Sequence, residues 1–165
     1  INEKFKIFKN GNSVIDLGAS PGSWSQYVLK TVKNGRLVSI DLKKIEELKN
    51  SVQIEGDFTK EESQKKIKSF FKSKIDVVIS DMAVNTTGIK EIDAIYTGEL
   101  CKEAMIFSKK ILVKEGRFVS KIFLGTSFNE IVALGKATFK EVKVFKPKSS
   151  RKESKESFII CKILR

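Results

Sequence analysis

Histidine is absent from all 165 residues. Its absence removes Ser-His-Asp and Cys-His catalysis, histidine-ligated metals and the side chain that ordinarily titrates near neutrality. A general base must then be a lysine, a carboxylate, a tyrosine or a cysteine. Cysteine is scarce too: Cys101 and Cys161 stand far apart with no CxxC pair, so neither a zinc site nor a disulfide framework is expected. Both read as buried thiols of a reducing compartment. No apolar run approaches the length of a membrane span. The chain starts at Ile1 rather than methionine and carries no signal-peptide pattern, so a longer natural N-terminus and a cytoplasmic location are expected. Acidic residues are in deficit, 20 against 32 lysines and arginines, leaving a net charge of +12. That balance favours nucleic acid or another anionic surface as partner, and it says nothing about fold.

What is present is an alternation of short β-branched runs with longer helical patterns. The length suits one domain over residues 1–165. Strands are expected at Ser13–Leu17, Arg36–Ile40, Val52–Glu55, Ile75–Ser80, Arg117–Phe123, Glu141–Phe145 and Ser157–Leu164. The almost wholly apolar run Ile75–Ser80 reads as a strand buried on both faces of a parallel sheet. Helices are expected over Ser23–Val32, Lys43–Lys49, Thr59 to about Lys72, Asp93–Val113 and Ser127–Lys136. Thr59 and Glu62 have the spacing of a capping box, and Gly116 is expected at the end of the long helix. This order predicts an α/β sheet with helices on both faces, its last two strands forming an antiparallel hairpin.

Asp16-Leu17-Gly18-Ala19-Ser20-Pro21-Gly22 falls where the first strand turns into the first long helix. Glycines there let a ligand approach the backbone and the free amides of a helix N-terminus, although a tight turn alone explains such a pair equally well. The spacing is neither GxGxxG nor a phosphate loop, and lysine is missing from it. Asp41 follows the second strand, 23 residues after Gly18, where a carboxylate can accept both ribose hydroxyls of an adenosine. Alone it would read as a surface residue at a strand end. Gly56-Asp57-Phe58 follows the third strand, offering an acceptor for an adenine amino group and a ring to pack on it. Ser80-Asp81-Met82 ends the fourth. In an open α/β sheet these strand ends converge on one crevice, which predicts an adenosine ligand carrying positive charge rather than phosphate.

The chain resembles the FtsJ-like ribose 2′-O-methyltransferases through Val14–Gln26, Gly56–Phe58, Val78–Ala83, Ser120–Phe123 and Ser149–Lys152. The resemblance covers essentially the whole chain. It implies a Rossmann-like methyltransferase fold: a seven-stranded mostly parallel sheet with one antiparallel strand. It implies S-adenosylmethionine as cofactor, S-adenosylhomocysteine as product, and Gly18, Ala19, Pro21, Gly22, Ser23, Trp24, Asp41, Asp57, Phe58 and Asp81 around it. A family Lys-Asp-Lys-Glu tetrad implies catalytic roles for Asp81, Lys121 and Glu156, with Asp81 orienting Lys121 and Glu156 positioning the lysine or the ribose. The tetrad's first lysine is expected upstream of Ile1, because Lys4, Lys6 and Lys9 lie too near the first strand. Val84 departs from the proline usual after Asp-Met-Ala, which alters the loop before Asn85.

The residues also speak for themselves. A ribose hydroxyl is a poor nucleophile while protonated, and without histidine a lysine set in an apolar strand can serve as base, as Lys121 does in Phe118–Phe123. A solvated edge lysine is the plain alternative. Residues 140–165 hold nine basic and three acidic side chains. Within them Lys146, Lys148, Arg151 and Lys152 read as phosphate contacts rimming the site, or as an ordinary lysine-rich surface. The function expected is methylation of a ribose in 23S-type large-subunit ribosomal RNA, at a uridine, by a monomer that needs neither metal nor membrane. Transfer RNA, a messenger cap, or a non-catalytic ribosome-assembly role are the alternatives. A nicotinamide dehydrogenase fits the glycine spacing least well.

Overall fold

The computed structural model describes residues 1–84, 87–148, 150 and 154–165. Its strands are β1 (Ser13–Leu17), β2 (Arg36–Asp41), β3 (Val52–Glu55), β4 (Ile75–Ser80), β5 (Leu112–Phe123), β6 (Phe139–Phe145) and β7 (Glu156–Leu164). They form one sheet in the order β3-β2-β1-β4-β5-β7-β6. The pairs β1·β2, β1·β4, β2·β3 and β4·β5 are parallel. β7 slots between β5 and β6 and runs antiparallel to both, as the short connection Lys146–Lys155 requires. The seven-stranded, mostly parallel sheet with one antiparallel strand is the architecture expected from sequence.

Alternation along the strands supplies two apolar faces. Ile15, Leu17, Val78, Phe118, Ile122, Ile159 and Cys161 face the core that contains Ile67, Met105, Phe107 and Ile131. Those last four belong to the helices α3 (Glu61–Ser69), α4 (Lys90–Ile111) and α5 (Phe128–Thr138). Val14, Val77, Ile79, Val119, Phe158 and Ile160 face the opposite way, under Phe5 and Ile7 at the N-terminus and Val28 of α2 (Ser23–Thr31). Both cysteines are buried free thiols, and burial raises the pKa of each. That makes them inert packing residues.

Three local expectations fail for physical reasons. No helix forms over Lys43–Lys49. Only Ile45 is buried there, and the Lys43 N–H bonds Asp41 Oδ1 at 2.8 Å, which starts a turn instead of an apolar helical stripe. α3 has Lys60 at its N-cap and no side-chain cap. Thr59 instead gives its N–H and hydroxyl to Asp57 Oδ1, at 2.9 and 2.7 Å, so the capping box does not form. Gly116 lies inside β5 and not at the helix end, because the chain passes from α4 straight into Leu112 and bulges before Arg117. The sequence also concealed α1 (Asn2–Phe5), one turn that is too short to show a period.

Candidate active site

The strand order reverses between β1 and β4, and the crevice at such a switch point opens at the C-terminal strand ends. Here the loops after β1 and β4 touch. The Asp81 N–H donates to Leu17 O at 3.2 Å, and Gly18, at φ +73°, packs against Met82. A Cβ on Gly18 would overlap the Met82 side chain, and the left-handed backbone adds its own penalty. Gly18→Ala is expected to lose about 1–2 kcal/mol or more in denaturant unfolding.

The glycine loop is held from below by backbone. Gly18 and Ala19 both donate to Ile40 O, at 2.9 and 3.1 Å. Asp41, ending β2, accepts the Ser20 N–H on Oδ2 at 3.0 Å while Oδ1 takes Lys43. Its carboxylate therefore fastens the loops on either side and keeps lone pairs for a ligand. Ala19 and Gly22 are buried, Pro21 and Ser23 are exposed, and Gly22 sits at φ 124° as the N-cap of α2. Asp57 stands at the end of β3 with Oδ1 committed to Thr59. Phe58 does not present its ring to the crevice: it is 4% exposed and packs against Phe107, at 6.4 Å between centroids. Its expected role as a platform for a ligand ring is therefore withdrawn.

Beneath the loop lies a network that sequence reasoning missed. Asp16 is wholly buried, its Oδ2 accepting the Ser25 hydroxyl at 2.6 Å, and Ser25 and Ser39 hydroxyls lie 2.7 Å apart. Among the described residues, Asp16 Oδ1 has no partner. Burial pushes this carboxyl up to about 7, with Asp81 and Asp41 adding to the shift and the Ser25 bond opposing it. The available signal was an acid placed in an otherwise apolar strand.

This shift makes a pH prediction. The folded chain keeps the Asp16 proton up to about 7, whereas the unfolded chain releases it near 3.8. The contribution is thus full below the unfolded value and is lost as pH rises through the folded one. Thermal unfolding should show stability declining between pH 4 and 7 by about 4 kcal/mol from this group. Asp16→Asn should flatten that slope.

Across the crevice, Lys121 Nζ and Asp81 Oδ1 form an ion pair at 2.8 Å, with side chains 14% and 33% exposed. Adjacent parallel strands place them: β4 and β5 pair Ser80 with Ser120, so the next residues on each strand meet. Phe158 is the cross-strand partner of Lys121, and Glu156 is the diagonal neighbour on the same face. Asp81, Lys121 and Glu156 thus stand at the same end of neighbouring strands, Glu156 half-buried at the start of β7. Trp24, two residues after Gly22, packs its ring on Phe158 at 5.6 Å. It also lines a cavity of about 460 Å³ with Ile79, Val119, Tyr27 and Phe8. The Val84 departure is compensated, since its N–H donates to Thr97 Oγ1 at 2.9 Å, a bond that proline could not make.

In the basic loop, Lys148 is exposed, and Lys146 donates to Ser154 O at 2.6 Å, which ties the loop's two ends together. Arg151 and Lys152 lie outside the described residues. No described helix is long and apolar enough to cross a membrane.

Known proteins resemble this chain in sequence and fold. The chain is 82% identical over 165 residues to ribosomal RNA large subunit methyltransferase E of Pelagibacter ubique, covering 100% of this chain and 81% of that protein. It is 43% identical to the Rickettsia akari protein of the same name, over 98% of this chain and 74% of that one. A crystal structure described as a ribosomal RNA methyltransferase from Plasmodium falciparum superposes with a TM-score of 0.88 at 28% identity, over 99% of this chain and 92% of that one. The model of the FtsJ-like methyltransferases matches residues 1–164, and the chain belongs to that family.

Proposed function

We propose that this chain methylates a ribose 2′-hydroxyl of large-subunit ribosomal RNA, at a uridine, with S-adenosylmethionine as donor. The observation that carries the reading is the Lys121–Asp81 ion pair at the switch point, facing the glycine loop across one crevice. The residues present fit the cofactor. Gly18 leaves a space that a Cβ would fill, and Asp41, with one N–H on each oxygen, keeps lone pairs that can accept ribose hydroxyls. Ala19, Gly22 and Ser23 shape the wall at the start of α2, and Asp57 offers an acceptor towards the adenine. When bound, the cofactor supplies an activated methyl on a sulfonium and leaves as S-adenosylhomocysteine.

The chain's own part is to orient the ribose and manage one proton. Lys121, once it has given one ammonium proton to solvent, holds the 2′-oxygen as a neutral amine and takes the hydroxyl proton on Nζ as the new C–O bond forms. Asp81 fixes the direction of that nitrogen through the 2.8 Å contact. Glu156, on the same sheet face, positions the lysine or the ribose. On the face that carries Lys121, its strand neighbour Val119 and its cross-strand partner Phe158 are buried. Lys148, with Arg151 and Lys152, supplies phosphate contacts to the RNA. Residues 1–165 act as one catalytic domain of a cytoplasmic monomer that needs no metal.

The test is transfer itself. Full-length protein, labelled methyl donor and large ribosomal subunits from cells lacking the modification should yield one 2′-O-methylated uridine, located by mass spectrometry. Cofactor binding without transfer to any RNA would leave a ribosome-assembly role and overturn the enzymatic reading.

A further inference from the structure

We infer that Lys4 and Lys143 form a phosphate-binding ridge beside the site, along which the RNA strand flanking the target ribose is laid. The inference rests on the reading above that RNA is the substrate. It begins with a row of side chains across three strands: Phe145 of β6 pairs with Phe158 of β7, which pairs with Lys121 of β5. Paired residues share a face, and β6 runs parallel to β5, so Phe145 lies at the same end of the sheet as Lys121. The Lys4 ammonium is seated over the Phe145 ring at 4.7 Å and over Phe5 at 5.6 Å. Phe5 meets Phe145 edge-on at 5.3 Å, which fixes that platform. A cation over an aromatic face loses little hydration and keeps its outer side for an anion.

Lys143 lies two residues back from Phe145 and so on the same face, paired with Ile160. Both lysines are exposed, and among the described residues neither is ion-paired. Neighbouring cations are spent inward: Lys162 donates to Phe5 O at 2.6 Å and Arg117 to Ile7 O at 3.1 Å, pinning the N-terminal turn to the sheet. That division leaves Lys4 and Lys143 among the outward charges of a braced surface.

Charge along the molecule points the same way. Residues 139–148 hold four basic side chains and one acidic, and residues 1–9 hold three and one. At the opposite edge, residues 41–62 hold seven acidic and four basic. A polyanion that reaches Lys121 is therefore drawn over β6 and the N-terminal turn, and kept off the β2–β3 edge.

The double variant Lys4→Gln/Lys143→Gln, with Lys66→Gln on exposed α3 as control, tests this. Two readouts are needed: filter binding of deproteinised large-subunit ribosomal RNA across a salt series, and methylation of the subunit. For two lost phosphate contacts the slope of log K against log salt should become shallower by about 1.5. KM should rise with kcat and cofactor affinity held, and the control should match wild type. A shallower slope supports the ridge whether or not methyl is transferred. An unchanged slope and KM in a variant that still methylates overturns the ridge alone. A wild type that binds RNA without ever methylating it overturns the proposed function alone.

Discussion

Lys121→Ala is expected to reduce turnover of methyl transfer by about 10²- to 10⁴-fold, the range lost with a positioned acid–base group. Cofactor affinity should stay nearly unchanged, because the glycine loop and Asp41 are anchored to Ile40, Ser20 and Lys43 and not to Lys121. The loss is severe because, among the described residues, no other cation pairs with Asp81. On its own face Val119 is buried hydrocarbon, and Phe158 fills the cross-strand position. Lys121→Met separates charge from packing, since it keeps the stem and loses the ammonium. Lys121→Arg is no rescue: a planar fork of five donors cannot place one nitrogen where a rotating ammonium stood 2.8 Å from Asp81. Single-turnover methylation with pre-bound cofactor is the measurement. A Met variant with wild-type rate would reduce Lys121 to a partner of Asp81 and remove it from the chemistry.

Much of this geometry could be read from sequence because one periodicity carried it. The all-apolar run of β4, the turn residues Gly18 and Gly22 and the carboxylates Asp41, Asp57 and Asp81 each mark a strand end. In a doubly wound sheet, strand ends converge without further information. What sequence could not show was anything settled by register or by competition for a donor. Phe158 stands opposite Lys121 because β7 inserts between β5 and β6 with one register, and no local pattern encodes that choice. Phe58 reads as a ligand-facing aromatic beside Asp57, yet the core around Phe107 takes it. Thr59 reads as a helix cap, yet Asp57 two residues earlier captures its hydroxyl first. Lys43–Lys49 reads as helix from charge spacing alone, with only Ile45 to bury. Lys4 stands far from Phe145 in sequence, and the seating of its ammonium is visible only in three dimensions.

Asp41→Asn should weaken S-adenosylmethionine binding by about 10²- to 10⁴-fold, although the side chains are nearly isosteric. Two hydrogen bonds from ribose hydroxyls to a charged acceptor are at stake, each worth about 1.5–3 kcal/mol. The structure makes the amide worse than a mere loss of charge. Asp41 Oδ2 accepts the Ser20 N–H at 3.0 Å and Oδ1 accepts the Lys43 N–H at 2.8 Å, so donors approach it from both sides. A carboxylate is acceptor on both oxygens, whereas an amide must turn its NH₂ towards one of those N–H groups. Either orientation releases the Ser20 loop or the Lys43 turn, and with it the wall that the adenosine would meet. Asp41→Glu keeps the charge but lengthens the arm, so it should recover less than half of the lost binding energy. Calorimetric titration with cofactor and product reads the affinity. Single-turnover rates at saturating cofactor should remain close to wild type, the inverse of the Lys121 pattern. An Asn variant that binds as wild type does would move the ribose away from Asp41, and the carboxylate would then be no more than the clamp that joins the two loops.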